Sequence, residues 1–142
     1  MIPKFRAWLK QYKKMVDEVN DMTFFEGNLE FIGCRPADGV SFQYCADDII
    51  LMQSTGSHDK NGKEIFEGDI VKRDGIKRPE VVRFGEWIDV DTLGFEEQYI
   101  GFYFESEHEG QKRLYSVESQ FNNLSKVIGN IYENQELLEE EE

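Results

Sequence analysis

Between Gln53 and Lys72 the chain reads QSTGSHDKNGKEIFEGDIVK, packing two tight turns and two short apolar strands into twenty residues. Asp59, Lys60, Asn61 and Gly62 form the first turn: Asn and Gly tolerate positive φ, and an Asp side chain can bond the backbone two residues on. Asn-Gly between apolar runs is a strong hairpin signal. Ile65 and Phe66 follow as a short strand, Glu67, Gly68 and Asp69 turn again, and Ile70 and Val71 open another strand. Such spacing is the grammar of a β meander or barrel.

The rest of the chain fits that reading. In the first twenty residues Phe5, Trp8, Leu9, Tyr12, Met15, Val16 and Val19 recur at helical spacing, yet Phe5 to Trp8 can also alternate as a strand, with a turn over Lys10 to Lys14. A hairpin is expected around Glu26-Gly27-Asn28, between Phe24-Phe25 and Leu29-Phe31. Pro36, Asp38 and Gly39 mark a loop before the alternation of Val40, Phe42 and Tyr44, and Ile49 to Gln53 leads into the central stretch. Glu80 to Trp87 reads as a strand, Ile88 to Glu97 as an acidic loop, and Tyr99 to Glu105 with Arg113 to Val117 as a long hairpin about the turn Ser106 to Lys112. One or two helical turns are expected over Ser119 to Ser125 and a closing strand over Val127 to Tyr132. Asn134 is placed as the N-cap of a short C-terminal helix, Glu136 to Leu138. The expected fold is mainly β: eight to ten short strands in a β-barrel-like or two-sheet fold with little helix.

Three segments resemble one family. Lys4 to Trp8 is KFRAW, the central stretch follows Q-x-T-G-x-x-D-K-N-G-x-E-I-[FY]-E-G-D-I-V, and Val127 to Leu138 is VIGNIYENQELL. In this order they resemble the YopX family of small proteins encoded mostly by phages and prophages of low-GC Gram-positive bacteria. Gln135 departs from the family's usual Pro. The resemblance implies a largely β fold, a strand rather than a helix at Lys4 to Trp8, and a phage setting; the family carries no established activity.

At 142 residues the chain is read as one domain over residues 1–138 with a frayed acidic tail at 139–142. Eleven Phe, six Tyr and two Trp supply a core without disulfide or metal. Cys34 and Cys45 are separated by ten residues, unlike the close pair of a zinc or redox site, and are expected to be reduced and partly buried. With no signal sequence and no run of apolar residues long enough to span a bilayer, a cytoplasmic protein with no membrane partner is expected.

The net charge of −13 is unevenly placed: residues 1–16 carry five basic groups and no acid, residues 133–142 six Glu and no base. The body between them holds 23 acids against 11 bases, a net of −12. That surface repels a phosphate backbone, so nucleic acid is not an expected partner.

The candidate chemistry is sparse. Glu64, Glu67 and Asp69, with His58 nearby, could hold a divalent cation or act as an acid and base pair. The plainer reading is that Gly68 and Asp69 build a turn, and acids are common enough here to cluster by chance. Asp59 to Gly62 fails as a calcium loop because its twelfth position is Ile70. His58 and His108 are expected in exposed turns. There is no G-x-S-x-G and no phosphate loop. Tyr99, Phe102, Tyr103 and Phe104 could stack bases, but the surrounding glutamates argue for core residues on one face and an interface on the other.

These readings assign no catalytic, cofactor-binding or metal-binding residue and imply no cofactor. They favour an acidic protein-interaction module without enzymatic activity, binding a protein partner or itself, with mimicry of DNA towards a host protein as a sharper variant. The alternatives are a metal-dependent hydrolase or nuclease using Glu64, Glu67 and Asp69, and a structural homo-oligomer joined through Trp8, Trp87 or the Tyr99 to Phe104 edge.

Overall fold

A computed structural model describes residues 3–35, 40–90, 92–108, 111–116 and 125–139. The fold is mainly β, as expected, and the described residues contain no helix of seven residues or more. Two compact units divide the chain, Met1–Ser54 and Thr55–Glu142.

In the first unit, strand β1 (Phe5–Leu9) pairs antiparallel with β2 (Lys14–Val16), so the helical spacing of the opening residues is overruled in favour of strand, turn and strand. β1 also pairs with the first half of β6 (Ile49–His58), from Leu9↔Ile49 to Phe5↔Gln53. Beside this, β3 (Asp21–Phe25), β4 (Asn28–Cys34) and β5 (Phe42–Cys45) form a three-stranded sheet with β4 central. Glu26 and Gly27 both take positive φ and turn β3 into β4, the geometry of a two-residue hairpin loop matched to strand twist. Ala7, Leu9, Ile32, Cys34 and Ile49 are the buried core of this unit. The predicted loop at Pro36, Asp38 and Gly39 lies outside the described residues.

The second unit begins within β6 and continues through β7 (Glu64–Phe66), β8 (Asp69–Arg73), β9 (Glu80–Val90), β10 (Glu96–His108), β11 (Gln111–Ser116) and β12 (Ser125–Asn130). Five of these form one sheet in the order β11-β10-β9-β8-β12. Its core is Ile65, Val71, Val82, Phe104 and Val127, with Phe102 packed against it.

Two expectations are corrected here. The loop expected over Ile88 to Glu97 is shorter than that: β9 runs on to Val90 and β10 starts at Glu96, with Gln98 opposite Ile88 and Glu97 opposite Asp89, and the described residues 92–95 make the turn. Backbone pairing holds 88–90 and 96–97 extended although their charges hide any alternation. At the C-terminus the short helix is only a 3-10 turn, Gln135–Leu138, and Asn134 does not cap it. The Asn134 side-chain oxygen instead accepts the Asn130 N–H at 3.2 Å. That loop folds closely over Gly129, where a Cβ would lie 2.5 Å from the same oxygen, so only glycine fits. The turns expected over Ser119 to Ser125 fall mostly outside the described residues, and Ser125 itself opens β12.

Candidate functional site

The conspicuous turns of the central stretch are spent on the fold. Asp59 is buried, and its carboxylate accepts N–H groups from Asn61 and Lys63, each at 2.9 Å, closing the turn on itself. It also accepts the Val127 N–H at 2.8 Å from β12, while Lys60 N–H donates to the Ser125 carbonyl at 2.9 Å. One side chain thus pins a turn to a strand 68 residues further along. Burial by itself would raise the Asp59 pKa, but the N–H donors from Val127, Lys63 and Asn61 and the nearby Lys63 ammonium outweigh it and hold the carboxyl below its ordinary value.

The second turn works similarly. Gly68 has φ of 87°, its N–H donates to the Val82 carbonyl at 2.7 Å, and its own carbonyl accepts Ile131 N–H at 3.0 Å. Asp69, almost wholly buried, accepts the Phe66 N–H at 2.8 Å. Of the three carboxylates considered for metal or catalysis, Asp69 is therefore engaged in its turn, and Glu64 lies 4.0 Å from a half-exposed His58. Among the described residues no group of three or more His, Cys, Asp or Glu is placed to hold a metal ion.

A buried ion pair that the sequence did not disclose lies between β8 and β9. Arg73 Nη2 meets Glu80 Oε2 at 3.0 Å, Nε donates to Oε1, and the guanidinium stands 5.2 Å from the centroid of the Phe104 ring. Both partners are buried, Glu80 completely. Two parallel bonds of this kind fix β8 against β9 and leave no open position for a ligand on the carboxylate.

Among the described residues, two surfaces stand out. The first unit carries a cleft of about 690 Å³, walled by Met15 and Val16 of β2 and by Phe42 and Tyr44 of β5, with Leu9 and Cys34 completing its apolar lining. Lys14, Arg35, Asp17 and Glu18 also border it. Both cysteines are free; burial, then the Asp21 carboxylate, push the Cys34 thiol up, so it stays protonated and a poor nucleophile. Under native conditions iodoacetamide should therefore alkylate exposed Cys45 promptly and Cys34 only after denaturation. Intact-mass spectrometry that showed both modified together would refute this burial.

The other surface is the distal part of the β9–β10 hairpin. Residues directly opposite each other share a face, so Val82 and Phe104, Phe84 and Phe102, Glu86 and Ile100, and Ile88 and Gln98 form one row. Val82 and Phe104 are fully buried, Phe84 is 48% exposed although its ring meets Phe102 edge-on, and Ile100 is 80% exposed. At the tip Leu93 and Phe95 are 81% and 68% exposed. The face that begins as core at Val82 and Phe104 thus runs outward to exposed Phe84, Ile88 and Ile100, with Glu86 and Gln98 among them. The two strands outlast the core beneath them, whereas sequence alternation reports only the face.

Comparison with known proteins fits this fold. The YopX protein family model matches residues 4–139. Among solved structures, the crystal structure of protein EF1440 from Enterococcus faecalis is similar over 98% of this chain and 99% of that one, at 28% identity and a TM-score of 0.55. No curated protein matches. With a family match over residues 4–139, nearly its whole length, the chain belongs to the YopX family.

Proposed function

We propose that this chain is a non-enzymatic, cytoplasmic protein-interaction module that docks a protein partner through the outer half of the β9–β10 hairpin. The observation that carries this reading is the apolar strip of Phe84, Ile88, Leu93, Phe95 and Ile100, exposed on an arm that has run past its own core. Burying each such side chain is worth about 1.5–3 kcal/mol, so leaving the strip in water forgoes a large gain. Residues 80–108 hold eight acids and one Arg, which gives the strip an anionic surround and favours a partner with basic groups around an apolar patch. A DNA mimic presents carboxylates alone, so the apolar strip favours ordinary docking over mimicry.

The test compares the wild-type chain with Phe95→Ser/Ile100→Thr as bait in lysate from a low-GC Gram-positive host. Both residues are exposed, so the variant should keep the wild-type thermal transition. The reading expects a partner that the wild type retains at low salt and the variant does not. Equal capture by a well-folded variant would rule the arm out.

A further inference from the structure

We propose that the arm tip of one copy docks in the first-unit cleft of a second copy, joining chains head to tail. This rests on the docking role of the arm argued above. Charge supplies the choice of occupant. Lys10, Lys13 and Lys14 crowd the turn between β1 and β2 and are all exposed. Tyr12, in the same turn, is 70% exposed and lines the cleft together with Lys14. The arm is the complementary piece, with Glu86 exposed within its strip and Glu96 and Glu97 exposed beside it. The chain therefore carries a cationic aromatic rim beside an apolar cleft and, elsewhere, an anionic arm with apolar side chains at its end.

Shape agrees with charge. The cleft volume of about 690 Å³ lies in the range that admits a sizeable apolar ligand, and the arm ends in Leu93 and Phe95. Asp17 and Glu18 also border the cleft, and Arg35 is paired with Asp21 at 3.0 Å. Lys10 Nζ donates to the Asp47 carbonyl at 3.0 Å, so the cations offered to the arm are Lys14, which lines the cleft, and neighbouring Lys13; this places the arm carboxylates over the rim and the apolar tip inside. Two arms packed against each other would instead set like-charged glutamates side by side, which is unfavourable. A polyanion could also approach the lysine turn, but the body of the chain bears a net charge of −12 and repels it. Head-to-tail contacts use two different patches and either close into rings or continue as filaments.

Sedimentation velocity of the full chain from low to high micromolar concentration tests this. The wild type should associate with concentration, and less so at high salt. An arm variant, Phe95→Ser/Ile100→Thr, and a cleft-rim variant, Tyr12→Asp/Lys14→Glu, alter exposed side chains and should melt like the wild type. Each alone should be monomeric, with Kd raised more than roughly tenfold. Mixed in equal amounts they should form a discrete heterodimer, because one intact arm and one intact cleft remain. Self-association by the rim variant alone would mean that arms pair with arms and would overturn the proposal while leaving the docking reading intact. A wild type that stays monomeric, yet captures a lysate partner through its arm, would do the same in favour of a foreign basic protein. An arm variant that self-associates like the wild type would overturn the proposal, and the docking reading would then stand or fall on the lysate capture.

Discussion

Replacing Glu80 by alanine should cost about 3–5 kcal/mol, because it strands a buried guanidinium without its counter-charge. Arg73 has few ways to relax. Its fork is held by both Glu80 oxygens and one face lies against Phe104, so water can reach it only by opening the joint between β8 and β9. Against the total stability usual for a small protein, about 5–15 kcal/mol, such a loss should move the urea midpoint sharply. Glu80→Gln should cost less, since the amide keeps one acceptor and most of the volume. The informative control is Arg73→Met/Glu80→Leu: it removes both charges and should recover most of the stability lost in Glu80→Ala, because a buried ion pair is often no better than well-packed apolar groups. A Glu80→Ala variant within about 1 kcal/mol of wild type would show that the pair is not closed off from water.

What the sequence disclosed was mostly local. Asp59, Gly62, Gly68 and Asp69 behave in three dimensions as turn chemistry predicts, because a turn is decided by a few adjacent residues and their own backbone donors. Asn61, expected to tolerate positive φ in the first turn, does not adopt it. Glycine carries the positive φ in the first turn, and Asn61 instead offers its backbone N–H to Asp59. Gly56 takes φ of 80° inside β6, and Gly129 lies at a register shift in β12.

What stayed hidden depended on pairing at a distance. Arg73 and Glu80 look like surface charges in the sequence, and only the antiparallel approach of β8 and β9, with Val71 opposite Glu80, makes them partners. The distal arm was hidden for a related reason. Once a two-stranded ribbon leaves its core, nothing requires its residues to alternate between polar and apolar, so the acidic run from Ile88 to Glu97 looked like a loop. The signal available in advance was the aromatic density in and around it: Trp87, Phe95 and Tyr99 are an unusual content for a solvated loop. Asn134 differs from expectation for a local reason: an N-cap side chain can serve any donor within reach, and here it takes the Asn130 N–H four residues back.

The 68-residue span of the Asp59 clamp gives the most direct link between the legible turn and the hidden topology. Asp59→Ala should cost about 2–4 kcal/mol, since it removes the acceptor for three backbone N–H groups, of which that of Val127 is buried between the turn and β12. Asn61 and Lys63 can recover water more readily, so most of the cost is expected at β12, and amide hydrogen exchange should accelerate at Val127 before the first unit is affected. The pH dependence has a definite sign. The folded pKa of Asp59 is depressed, so its contribution is fully present above the ordinary unfolded value of about 3.9 and is lost as pH falls through the lower folded value. Wild type should therefore lose stability below about pH 4 faster than Asp59→Asn, which has no proton to gain. The difference in unfolding free energy between them should narrow between about pH 6 and pH 3. A difference that stayed constant over that range would mean that the clamp owes nothing to the carboxylate charge, and that shape alone holds the turn to β12.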